Sequence, residues 1–129
     1  MASRIGLGDL QSAIMRVLWQ RDEASVSEVH SALQEQRGLA PTTIATMLKK
    51  MEAKGVVTHR IDGRQFVYRP TVSATDVRRS MVSELVGRVF EGNPAALVSH
   101  LMSEQGISRE DLEEIRRLLA EHEGEEVSR

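Results

Sequence analysis

At 129 residues, with 40% hydrophobic and 28% charged side chains, the chain has room for one ordinary domain or a small one with a helical appendage, in a soluble globular class. It contains no cysteine, which excludes disulfides, thiolate metal sites and a cysteine nucleophile. No apolar run approaches the roughly 20 residues of a membrane helix and the N-terminus shows no signal-peptide core, so the expectation is a cytoplasmic protein without membrane insertion.

The net charge of −2 is unevenly distributed: residues 1–70 carry a balance of +3 and residues 71–129 one of −5. Between residues 37 and 69, seven basic side chains stand against two acidic ones, the asymmetry of a chain with one face for a polyanion. Aromatic residues make up only 3%, so the core must be aliphatic.

The first helix is expected from Asp9, as cap, to about Arg21, because Leu10, Ala13, Ile14, Val17 and Leu18 repeat at helical spacing. Ser27 is expected to cap a second helix over about 28–37, with Val29, Ala32 and Leu33 inward and Gly38 at its end. The third helix opens with Pro41, whose missing N–H costs nothing in the first turn, and ends at Gly55. On a helical wheel Ile44, Met47, Leu48 and Met51 fill one arc of about 100°. Thr42, Thr43, Thr46, Lys49, Lys50, Ala53 and Lys54 share the opposite side, and Glu52 falls on the flank between them.

Two β-rich runs, 56–61 and 64–70, then bracket Asp62-Gly63, a strong hairpin signal. Three helices followed by a basic-edged hairpin make the winged helix arrangement, in which the third helix enters the major groove of duplex DNA. Threonine hydroxyls and methyls can read base edges, lysines supply salt-dependent phosphate affinity, and Arg64 and Arg60 are the hairpin's candidate contacts.

Beyond Pro70 only helices are expected. Ser73 caps one over about 74–90; Asn93 and Pro94 open a short one that Gln105-Gly106 ends; Ser108 and Asp111 form a capping box before a last helix and a frayed acidic tail from about Glu121. Met81, Leu85, Val89, Leu97, Leu101, Leu112, Ile115 and Leu119 are more apolar surface than three short helices can bury alone, which points to a homodimer, with folding back onto the winged domain as the alternative. The expected organisation is a mainly α fold with a small β-hairpin: a winged helix-turn-helix DNA-binding domain at 1–72 and a helical dimerisation domain at 73–129.

The four histidines show no ligand spacing, no serine sits in a nucleophile elbow and no glycine-rich phosphate loop is present, so neither metal, cofactor nor catalysis is expected. The rival reading is a winged helix used as a protein-interaction module without sequence-specific DNA binding.

Several stretches together resemble the penicillinase-repressor family of winged-helix regulators: Leu7-Gly8-Asp9-Leu10, Val17-Leu18-Trp19, Pro41-Thr42-Thr43-Ile44-Ala45-Thr46-Met47-Leu48, Lys54-Gly55, Gly63-Arg64-Gln65-Phe66-Val67-Tyr68 and the last helix from Ile107 to Arg116. The resemblance implies a dimeric repressor on a dyad operator, inactivated when a membrane-bound sensor protease triggers cleavage in the short helix. The corresponding bond here is His100–Leu101, where the family's Asn-Phe type pair is replaced. The cysteine pairs of copper-responsive relatives have no counterpart.

Overall fold

The computed structural model describes residues 6–104 and 106–127, with the side chains of 35–37 and 126–127 left aside. In chain order the elements are α1 (Asp9–Arg21), β1 (Ala24–Ser25), α2 (Val26–Arg37), α3 (Pro41–Lys54), β2 (Val57–Asp62), β3 (Gln65–Pro70), α4 (Ala74–Val89), α5 (Pro94–Glu104) and α6 (Arg109–Val127). They fall into two compact units, one reaching Glu84 and one starting at Leu85.

The first unit is built around α1, α2 and α3, whose apolar stripes meet over a small sheet. Ile14, Met15 and Leu18 of α1, Val29 of α2, and Ile44, Leu48 and Met51 of α3 are fully buried together with Val56 and Tyr68. The spacing 44, 48, 51 is the inward stripe of a helix whose other side is left to solvent. The sheet is antiparallel in the order β1-β3-β2, so the expected hairpin gains a third, two-residue strand. In that strand Ala24 pairs with Tyr68 and Ser25 with Val67.

Local boundaries follow the capping chemistry. The N-cap of α2 is Ser25 rather than Ser27: its Oγ accepts the Glu28 N–H at 3.1 Å, and the Glu28 carboxylate accepts the Ser25 N–H at 2.9 Å. This reciprocal box satisfies two helix-end donors at once, which Ser27 cannot do from inside the helix. Asp9 is likewise the first helical residue of α1, with Gly8 as cap, and acts there as a negative charge in the first turn. The hairpin ladder closes at Asp62–Gln65, so the loop is Gly63-Arg64 and not Asp62-Gly63. Gly63, at φ +64°, holds the first loop position, which favours glycine, and Arg64 is left at the tip.

In the second unit α5 and α6 start as expected. Asn93 Oδ1 accepts the Ala96 N–H at 3.2 Å; the Ser108 and Asp111 side chains each accept the other's backbone N–H. Of the expected stop at 105–106, Gly106 has φ +61° and Gln105 lies outside the described residues. The acidic segment from Glu121 is not frayed: α6 continues to Val127. Arg117 grips Glu114 and Glu121 one turn to either side, and the segment is rich in residues that favour helix. From Leu85 onward no described residue is buried. No helix among the described residues is long and apolar enough to cross a membrane.

Candidate nucleic-acid interface

The third helix carries the predicted face intact. Thr42, Thr43, Thr46, Lys49, Lys50 and Lys54 are all exposed, while Ile44, Leu48 and Met51 are buried on the opposite side. Met47, expected within the inward arc, is only half-buried, and its thioether accepts the Gln11 Nε2–H at 3.2 Å. Pro41 starts the helix and Gly55, at φ +91°, ends it, so the hydroxyls occupy the N-terminal turns and the lysines the C-terminal ones.

The helix is held at both ends. Upstream, His30 Nε2–H donates to the Leu39 carbonyl at 2.7 Å and pins the α2–α3 connection. Downstream, the Gly55 carbonyl accepts the Thr71 hydroxyl at 2.7 Å. Trp19 reinforces the same region from α1 by donating Nε1–H to the Val72 carbonyl at 2.9 Å. A rod fixed in this way presents its outer face without further ordering.

A cleft of about 410 Å³ opens between α3, the hairpin and the start of α2. Ala45 and Lys49 form one wall, Arg64 and Phe66 another, and Ser27 and His30 a third. Among the described residues no side-chain hydrogen bond or ion pair engages Thr42, Thr43, Thr46, Lys49, Lys50 or Arg64. Their donors face solvent and stand available to an external acceptor.

Two of the eight predicted contacts are taken up inside the chain. Lys54 Nζ donates to the Gly6 carbonyl at 2.6 Å and to Gln11 Oε1 at 2.9 Å, which ties the end of α3 to the approach to α1. Arg60 pairs with Glu23 at 2.7 Å and lies 3.7 Å from Asp62. The guanidinium hydrogen bond holds the Glu23 carboxyl below the usual carboxylate range, and the same bond raises Arg60 further. Arg60 therefore braces β2 against the turn after α1, while Arg64 keeps its outward position.

A second ion pair involves two residues outside the predicted contact set. Glu52, on the flank of α3, receives the Nδ1–H of His59 on both carboxylate oxygens, at 2.7 and 2.8 Å. Burial, with the Glu52 charge adding to it, pushes the neighbouring Tyr68 phenol up. The sequence signal for the pair was weak: a carboxylate between two helix arcs and a histidine in a strand. Of the predicted apolar partners in the later helices, Met81, Leu85, Val89, Leu101 and Leu119 are exposed and Leu97, Leu112 and Ile115 half-buried. His100 is exposed in the middle of α5, tilted against Phe90 at 5.9 Å between ring centroids.

Residues 7–121 match the family model described as penicillinase repressor. The chain is 36% identical over 123 residues to the transcriptional regulator BlaI of Mycobacterium tuberculosis, covering 94% of this chain and 88% of that one. It is 28% identical over 116 residues to the penicillinase repressor of Bacillus licheniformis, covering 90% and 91%. Among solved structures it is similar to the B. licheniformis BlaI monomeric form in complex with the blaP half-operator. That likeness has a TM-score of 0.50 and 32% identity, and covers 59% of this chain and 93% of the other.

Proposed function

Because the chain belongs to the penicillinase repressor family, a family of transcriptional repressors rather than of catalysts, we propose that it represses transcription as a homodimer seated on a dyad operator in duplex DNA. One observation carries the reading. The helix that precedes the wing buries Ile44, Leu48 and Met51 on one side and turns Thr42, Thr43, Thr46, Lys49 and Lys50 outward on the other, with Arg64 beside them. Such a face offers base edges small donors and methyls, and offers phosphates fixed cations.

Two copies related by a two-fold axis set their third helices in major grooves about 34–36 Å apart, or a multiple of that, and block access to the promoter. The apolar faces of α5 and α6 form the subunit contact. Inactivation by a membrane-bound sensor protease would act at His100–Leu101; since this bond lies within α5, the helix must unwind locally before a protease can engage it.

Fluorescence anisotropy with a selected operator and a scrambled duplex tests the reading face. Lys50→Ala is expected to weaken both duplexes alike and lower the salt slope by about 1, as a phosphate contact does. Thr46→Ala is expected to reduce the preference for the operator while sparing the scrambled duplex. Unchanged affinities in both variants would remove α3 from the interface.

A further inference from the structure

His59 and Arg60 are neighbours in β2, so their side chains leave opposite faces of the hairpin. Each is gripped by a carboxylate from a different part of the chain: Arg60 by Glu23 of the turn after α1, and His59 by Glu52 of α3. The outer half of the hairpin has little else to hold it. Its buried side chains are Val57, Val67 and Tyr68, and every residue from Arg60 to Phe66 is exposed. Two strands extending past their core are marginal by themselves, so their tilt depends on such side contacts.

The contact on the α3 side forms a continuous relay. The Glu52 carboxylate takes the His59 Nδ1–H on both oxygens. The imidazole then stacks on Phe66, with 4.3 Å between ring centroids and 13° between planes, and meets Tyr68 at 5.3 Å. Phe66 pairs with Ile61 in the rung next to the one that closes the loop, two residues from Arg64. Glu52 and His59 remain 31% and 27% exposed, so this is no buried core contact whose loss would unfold the unit.

We infer that Glu52 and His59 are positioning residues: they fix the wing's angle to the reading helix, and thereby whether Arg64 and the face of α3 engage one duplex together. The inference rests on the proposed DNA-binding reading and deepens it. It also predicts a sign. Glu52 is a carboxylate beside a phosphate-binding face, so by charge alone its removal strengthens binding to any duplex. As a positioning residue, its removal weakens binding.

The test uses the full-length protein and a duplex selected by it from random sequence. Glu52→Gln is expected to weaken binding about fivefold, the order of one misplaced phosphate contact. His59→Phe, which keeps a ring over Phe66 and removes only the donor, is expected to do the same. In an Arg64→Ala background both losses are expected to vanish, since the residue they place is gone. Hydroxyl-radical footprints should lose protection at the wing and keep it where α3 lies. Tighter or equal binding by Glu52→Gln, or a loss that persists undiminished in Arg64→Ala, overturns the inference. If Glu52→Gln lowers the melting temperature, His59→Phe decides the matter by the same cycle. A wild-type protein with no preferred duplex, or an Arg64→Ala variant that binds like wild type, instead breaks the DNA-binding reading and takes this inference with it.

Discussion

The two units differ in how their apolar residues are used. In the first, helices of ordinary length pool their inward stripes, and residues such as Ile14, Leu18, Leu48 and Met51 have essentially no contact with water. In the second, equally regular helices carry Val89, Met102 and Leu119 more than half exposed, and none of its described residues is buried. Caps and salt bridges give the second unit its helices, but isolated helices of this length are marginal without packing. The difference teaches that regular secondary structure reports local chemistry, whereas independent stability needs a shared interior, which under the proposed homodimer the second unit gains from a partner copy.

Deleting core volume should break that comparison most visibly. Leu48→Ala removes a fully buried side chain from the inner stripe of α3 and is expected to cost about 2–5 kcal/mol of unfolding free energy, read by urea denaturation. Because the stripe also sets the outer face, operator affinity should fall at temperatures where much of the protein is unfolded and recover on cooling. A loss of less than about 1 kcal/mol would mean that α3 is not anchored by its apolar side.

The second unit should respond to charge instead of volume. Ile115→Asp combined with Leu119→Asp is expected to yield monomers in analytical ultracentrifugation and to weaken operator binding about 100-fold or more, since two linked half-sites become two separate binding events. In the unmodified protein, melting of α5 and α6 should rise with protein concentration, as mass action requires of a unit stabilised by association. An intact dimer in the double variant would take Ile115 and Leu119 out of the interface.

These effects trace what the sequence could and could not convey. The limits of α3 were legible because Pro41 and Gly55 are chemically committed to helix ends, and its outer face because residue spacing alone fixes which side chains share a side. The starts of α4, α5 and α6 were legible from Ser73, Asn93 and Ser108 for the same reason. Periodicity gives a face but not the neighbour that covers it. Lys54 reaching Gly6 and Gln11, Arg60 reaching Glu23, and Glu52 meeting His59 all depend on how distant segments are brought together. The strand β1 spans two residues, too few for any alternation to be seen. Membership of one family shows the winged helix; the residue roles within it rest on these contacts.

The smallest effect lies where a single serine ends a strand and starts a helix. Ser25 pairs with Val67 through β1 while its hydroxyl caps α2, and it is 2% exposed. Ser25→Ala leaves the Glu28 N–H without its acceptor and is expected to cost about 1 kcal/mol. Ser108→Ala, in the exposed box of α6, should fall at the low end of the range, about 0.5 kcal/mol, so the pair measures how much burial adds to the same motif. The partner carboxylate adds a pH dependence. The backbone hydrogen bond from Ser25, with its hydroxyl adding to it, holds the Glu28 carboxyl below the usual carboxylate range. The folded state therefore binds that proton less readily than the unfolded one, so the associated stability is complete above the ordinary glutamate value of about 4.3 and drains away as pH falls through the lower folded value. Glu28→Gln should flatten the acid limb of the stability profile there, with urea midpoints compared at pH 7 and pH 3.5. An acid limb as steep as the wild type's would show that Glu28 carries no charge-assisted bond to the start of α2.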